Sequence, residues 1–488
     1  MVRIENESNI EILRQISLLL DKENQKLLER VRKLTLENAK LRGWEGNTQQ
    51  LDLALARELE ELRKHVFEST NKQADQEKKK STKKPKRGHG PRRQPELPLV
   101  EKIHELGPEE MDCDICGGTV TEMSDQFEES EEITVIERSF VIVKNKRKKY
   151  RCQCNAKVVT APSPPKLIPG GRYSVEFAVE VATAKYLDHL PLERQVRIMG
   201  REGLVVDSQT LWDQIDALAT HLEPSYEALG ERVLQSPVIY ADESGWRWMG
   251  SSKPNGSIWS LSSVDTSFYR ILTSKSLEAG KSLLAGYLGT VVADGYIVYD
   301  ILARDGPSFS LANCWEHAKR KFEEASEYFP VACAEVLALI RELFLVEREV
   351  PGPFPGNVEA QELRQRLRNE QSTTLVEKIR QWAFSQTGLP RSEFGKAVLY
   401  MLQRWKGLTV FLDDPLVPLS NNAAERALRG PVVGRKNHYG SRSERGAHVA
   451  ALFYSLCETA KLCGVEPRRY LRDAAFAAIR QPGTVTMP

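Results

Sequence analysis

The sequence predicts a multidomain protein in which a mixed α/β core follows a run of small amino-terminal modules and is interrupted by a helical insertion. Three observations carry this. The 488 residues exceed what one hydrophobic core organises. A leucine heptad and a strongly basic stretch occupy the amino-terminal part of the chain. From Pro237 onward, short apolar strands alternate with amphipathic helices.

An apolar content of 41% fits a globular protein, and no apolar run approaches the ~18 residues of a membrane span. The opening MVRIENESN lacks the basic start and apolar stretch of a signal peptide. These features predict a cytoplasmic protein without a membrane partner, whose eight cysteines stay reduced. Net charge is only +2, but residues 72–93 carry ten Lys or Arg against two acids, leaving the rest of the chain at about −6. A local basic strip on a near-neutral chain points to a polyanionic partner.

Residues 1–47 form the first module. Leu13, Leu20, Leu27, Leu34 and Leu41 recur every seven positions, with Asn24 and Asn38 three places ahead of a leucine, which matches a leucine-zipper coiled coil and a homodimer. A single amphipathic helix packing on its own chain has the same pattern. Residues 48–95 follow as a weaker helical stretch and a linker too charged and too rich in Pro and Gly to pack. Its cations Lys78, Lys79, Lys80, Lys83, Lys84, Lys86, Arg87, Arg92 and Arg93 suit tracking along a phosphate backbone, without sequence specificity.

Residues 96–165 hold Cys113-Asp-Ile-Cys116, a β-rich stretch (ITVIERSFVIVKNKRKKYRC), and Cys152-Gln-Cys154. Two knuckles on a hairpin can bring four thiolates round one structural Zn2+, giving a small zinc-ribbon-like β module. The second pair is one residue tighter than C-x-x-C. The bland alternative is a β subdomain with buried thiols. Residues 166–228 turn helical in three segments, with Pro191 at a helix start, Gly203 in a turn, and Asp207 or Ser208 as a cap for the third. This is the layout of a helix-turn-helix, and also of a plain trihelical packing unit.

In residues 229–322, PVIYAD reads as a buried strand ending on Asp242, SIWSLSS and FYRILTS as the next two, GTVVADGY as one ending on Asp294, and SFSLANCW as a fifth leading into the helix WEHAKRKFEEA. That succession predicts a ribonuclease-H-like mixed sheet with its first and fourth strands adjacent, so that Asp242 and Asp294 meet at neighbouring strand ends. Two carboxylates held there suit a hard divalent ion, Mg2+ or Mn2+. A helical insertion spans 323–418, in which Trp382 and Trp405 read as core residues or as stacking partners for an unpaired base. Residues 419–447 return to the core. Ser420 to Asn422 read as an N-cap, Glu425 falls in the first helical turn as a third metal-binding acid, and Gly434-Arg435-Lys436-Asn437 reads as a turn whose two cations grip phosphate oxygens. Residues 448–488 are amphipathic helices with a packing or dimer role.

Together CDICGG, YLDHLPLERQ, YADESGW, ADGY, CWEHAKRKF, NNAAERALR and VGRKNHYGSRSERGA make the chain resemble the bacterial DDE transposases of the insertion sequence 66 family, over nearly its whole length. The resemblance implies a catalytic triad at Asp242 in ADES, Asp294 in ADGY and Glu425 in NNAAER. It implies two-metal cleavage and joining of phosphodiesters at the terminal inverted repeats of a transposon and in target DNA, in or near the nucleoid, with helper proteins a possibility. The chain departs from the family at Ser420, where Asp is usual, and at the tight Cys152–Cys154 pair.

Strand alternation sends Glu243 to the face opposite Asp242. His317 reads as structural or phosphate-facing, and Cys314, Cys333, Cys457 and Cys463 read as core thiols. Two other functions fit parts of the pattern. A non-catalytic DNA-binding regulator leaves the three acids without a role. A related metal nuclease leaves the amino-terminal modules without one.

Overall fold

A computed structural model describes residues 138–488, apart from 154–155, 250–254, 306–308, 351–355 and 387–391, together with a few positions between 100 and 133. The leucine heptad, the basic linker, Cys113, Cys116 and Cys154 lie outside the described residues. The chain divides into two compact units, 1–130 and 131–488; the elements that follow belong to the second.

A two-stranded antiparallel ladder joins β1 (Lys149–Arg151) to β2 (Val158–Thr160), and Cys152 directly follows β1. Residues 138–148 of the expected β-rich stretch form no helix and no strand ladder. Three helices follow: α1 (Val175–Tyr186), α2 (Leu192–Arg201) and α3 (Ser208–Leu234). Asp207, not Ser208, caps α3 by accepting from the Thr210 N–H at 2.6 Å. The third helix is longer than its sequence signals suggest, because it runs on through Pro224. An interior proline costs about 3 kcal/mol. Here the buried stripe Leu218, Leu222, Tyr226, Leu229 and Val233 continues across it and outweighs that cost. The exposed positions of α3 include Asp213, Glu227 and Glu231, and Asp216 and Glu223 pair with Arg445 and His448. It is an acidic strut of the core.

The mixed sheet comprises β3 (Val238–Arg247), β4 (Asn255–Ser262), β5 (Ser267–Leu272), β6 (Thr290–Ala293) and β7 (Ser310–Asn313), in the order β5-β4-β3-β6-β7. Strands β3, β4 and β5 form an antiparallel meander, and β6 and β7 add in parallel beside β3. The first strand does not stop at Asp242. It continues to Arg247 because β4 pairs with it from Tyr240 to Arg247, whereas β6 pairs only with Val238 to Tyr240. Helix α4 (Leu277–Leu283) lies between β5 and β6, α5 (Ile297–Asp305) between β6 and β7, and α6 (Trp315–Ala325) after β7.

The described part of the insertion is mostly helical: α7 (Pro330–Arg348), α8 (Val358–Leu367), a π turn (Arg368–Ser372), α9 (Thr373–Ser385), α10 (Glu393–Gln403) and α11 (Trp405–Thr409). Its apolar cluster reaches Val292 and Ala312 of the sheet, and Trp382 is buried against Phe322 and Phe394. Trp405 sits edge-on to Trp315. Both are packing residues. Within the insertion, buried Glu347 takes the guanidinium groups of Arg364 and of fully buried Arg368.

The chain then returns in α12 (Asn422–His438), α13 (Glu444–Leu462) and α14 (Pro467–Arg480). Helix α13 is buried on every side from Val449 to Cys457, rather than amphipathic. It seals the edge strand β5: Ser455 Oγ and Thr459 Oγ1 accept from the N–H groups of Tyr269 and Ser267 at 2.9 and 3.1 Å. No helix among the described residues is long and apolar enough to cross a membrane.

Candidate active site

The two strand-borne acids are brought side by side by register. Val238 pairs with Thr290, and Asp242 and Asp294 each lie four residues further along two parallel neighbours. There β6 ends and the sheet opens. The Asp294 side chain closes a small turn, accepting from the Tyr296 N–H at 2.8 Å. Its own carbonyl accepts from Asn313 Nδ2 at 3.1 Å. The next carbonyl, of Gly295, accepts from Arg404 Nη2 at 2.6 Å, a residue 109 positions away in the insertion. A Cβ at Gly295 would run into Arg404 and into Tyr400 Oη, which is why the loop after Asp294 needs glycine.

Burial pushes the Asp242 carboxyl up to about 7, with the charges of Glu243, Asp294 and Glu425 acting in the same direction. Glu243 is also raised, by burial and then by Asp294, while Lys275 and Tyr299 oppose the shift. Its carboxylate accepts from Tyr299 Oη at 2.9 Å and pairs with Lys275 at 3.4 Å. Glu243 is thus engaged by Tyr299 and Lys275, and it is close enough to Asp242 and Asp294 to share their charge.

Glu425 arrives on the first turn of α12. That helix is tied to β3 at both ends: Asn421 Nδ2 donates to the Ala241 carbonyl at 2.8 Å, and Arg435 Nη1 donates to Ser244 Oγ at 3.2 Å. The expected side-chain cap is not made: buried Asn421 donates Nδ2 to the residue before Asp242, and its Oδ1 accepts no hydrogen bond. Glu425 Oε1 lies 3.7 Å from His317 Nε2 and 4.0 Å from Arg320 Nη2 and is buried without a hydrogen bond. Among the described residues no three His, Cys, Asp or Glu side chains are grouped closely enough to hold an ion. The donor chemistry nonetheless suits a hard dication: buried carboxylate oxygens, one orphaned, and an aspartate that ionises against its neighbours.

Arg435 and Lys436 are not in a turn but in the last helical turn of α12. Gly434 and Pro431 inside this helix have tertiary reasons. A Cβ at Gly434 would collide with Tyr454 Oη, so the residue is small to let α13 approach. Pro431 removes the N–H that would bond the Ala427 carbonyl, and Tyr269 Oη bonds that carbonyl instead at 2.7 Å.

Of the other expected site residues, Cys152 is exposed in the hairpin loop, while Cys113, Cys116, Cys154 and the cations from Lys78 to Arg93 lie outside the described residues. Sequence reading missed Asn421 as an anchor, Arg404 as a clamp, and Arg247 and Lys275 as cations beside Arg435. The paired Asn before an acid-bearing helix was a signal for the first. Nothing local could have marked Arg404.

Residues 170–449 match the family described as Transposase IS66 family. Three relatives are uncharacterized proteins of Sinorhizobium fredii. One, y4jD, is 28% identical over 77% of this chain and 76% of its own length. The others are y4hP, 27% identical over 76% and 71%, and y4qI, 29% identical over 80% and 74%. No solved structure matches the chain.

Proposed function

The chain belongs to the Transposase IS66 family, and on that premise we propose that it is a DDE-type DNA transposase whose ribonuclease-H-like core carries Asp242, Asp294 and Glu425 as its metal-binding acids. The observation that carries the reading is the knot of buried negative charge in which Asp242 is pushed up to about 7 by burial and by three carboxylates. Two divalent ions held by these acids, Mg2+ or Mn2+, would supply Lewis acidity to the attacking and leaving oxygens of a phosphodiester.

The chain's own residues do the rest. Asp242 and Asp294 are fixed by strand register, and Asn421 holds the Glu425 helix against the residue next to Asp242. Tyr299 and Lys275 keep Glu243 occupied, so that it does not compete for the same ions. Arg435 and Lys436 lie at the other end of α12, where they can neutralise phosphates of the bound strand. We assign the leucine heptad to a homodimer that pairs two transposon ends, Cys113, Cys116, Cys152 and Cys154 to a structural Zn2+, and the basic linker to backbone contact with double-stranded DNA. Given the acidic exposed side of α3, DNA contact falls to these cations rather than to that helix.

Calorimetric titration with Mn2+ tests the metal assignment. The wild-type chain should bind ions, and Asp294→Asn should lose most of the heat while keeping its melting temperature within a few degrees. Equal binding by the variant would sink the assignment.

A further inference from the structure

Beyond the acids, β3 and the end of α12 line a cavity of about 620 Å3, to which the mechanism above gives no role of its own although it draws on three of the lining cations, Lys275, Arg435 and Lys436. It lies within the ~300–1,000 Å3 range of small-molecule sites, too small for a double helix. Four cations line it, Arg247, Lys275, Arg435 and Lys436, and no acidic side chain does. Among the described residues, only Lys275 of the four pairs with a carboxylate, that of Glu243. The cavity therefore calls for an anion.

Its rim is Tyr439, 66% exposed and in the left-handed conformation at φ 62°. A tyrosine there is strained, and a glycine or asparagine would end the helix at lower cost. The turn is also held rigid. Gly440 follows at φ 93°, where a Cβ would strike the Arg247 carbonyl. Ser441 N–H donates to that same carbonyl at 3.0 Å, the Ser441 carbonyl accepts from Met249 N–H at 2.9 Å, and Ser441 Oγ accepts from Trp246 Nε1 at 3.2 Å. A held backbone turn thus presents an exposed ring at the rim of a pocket of positive charge. Gly245 in the cavity wall is three residues along β3 from Asp242, or about 10 Å at ~3.3 Å per residue. That is the reach of one or two nucleotides.

We propose that this cavity binds a single unpaired nucleotide of the substrate strand next to the scissile phosphate, its base stacked on Tyr439 and its phosphate held by Arg247 and Lys436. The proposal rests on the transposase reading and adds a site to it. A ring plus cations recognises a nucleotide of any sequence, because every base has a π-face.

The test is fluorescence anisotropy of the full chain in EDTA, comparing a blunt duplex with the same duplex bearing a short oligo-dT overhang. A 2-aminopurine in the overhang reports stacking directly. Wild type should prefer the overhang and quench the 2-aminopurine. Tyr439→Gly, which suits the left-handed backbone and so should fold, should lose about tenfold in overhang affinity and the quenching. Tyr439→Phe should keep both. Arg247→Ala should weaken binding and lower the salt slope by about one. Equal overhang binding by wild type and Tyr439→Gly overturns the proposal. So does displacement of the overhang by polyglutamate as readily as by oligo-dT, which would make the cavity a general anion or acidic-peptide site. Because binding is read without metal, lost overhang preference counts against this cavity alone. Intact overhang binding in EDTA, followed by no strand cutting when Mn2+ replaces the EDTA, counts against the transposase reading alone.

Discussion

Asp242 ionises against burial and three neighbouring carboxylates, and that cost has a pH signature. A carboxyl whose pKa is ~3.9 when unfolded and about 7 when folded holds its proton more tightly in the folded chain. The metal-free fold is therefore favoured below about pH 4 and loses stability as pH rises from there to about 7. Asp242→Asn should remove this loss, stabilising the metal-free chain by about 1–3 kcal/mol at pH 7 and hardly at all at pH 4. Thermal melts at the two pH values check it, and equal melting of wild type and variant at pH 7 would contradict it. Added Mn2+ should raise the melting temperature of wild type more than that of the variant. A second residue-scale prediction concerns Gly434. Gly434→Ala should destabilise the chain by about 1–3 kcal/mol through overpacking, and Tyr454→Phe in the same chain should recover part of it by removing the struck Oη. Urea denaturation of the single and double variants decides, and additive losses would mean that the contact is not the cause.

At the scale of elements, the strands that bear Asp242 and Asp294 were legible because apolar runs ending on an acid are a local signal. The continuation of β3 through Glu243, Ser244 and Gly245 was not, since those residues favour no strand and are held by the β4 ladder. Likewise Gly434 to Asn437 read as a turn, while Tyr269 and Tyr454, distant in sequence, let α12 run on. The insertion was legible as helical, but its inner ion pair was not. Glu347 is held below the usual carboxylate range: burial opposes its charge, and the hydrogen bonds and charges of Arg368 and Arg364 more than offset that. Glu347→Ala would leave two buried guanidinium groups without their carboxylate and should cost about 3–5 kcal/mol. A melt of the full chain tests this; a loss within error of zero would mean that water replaces the carboxylate.

For the whole molecule, the site is assembled from three parts far apart in sequence: the sheet, the insertion that clamps Gly295 through Arg404, and α12 returning after it. The acids could be picked out from spacing and resemblance. Their supports could not, because Arg404 and Asn421 act on backbone carbonyls that no sequence pattern reveals. This division explains why the insertion is more than an appendage: it fixes the loop that carries Asp294. It also places the cation-lined cavity and Asp242 along one strand, β3.

The central claim is tested most directly by strand nicking and joining on DNA that carries the element's own ends, in Mn2+, with wild type and Asp242→Asn side by side. The account predicts nicked and joined products from wild type and none from the variant, which should still bind the same DNA. Equal products from both would remove Asp242 from the chemistry. Hydrolysis without joining would make the chain a nuclease, and binding without cutting by wild type would make it a regulator.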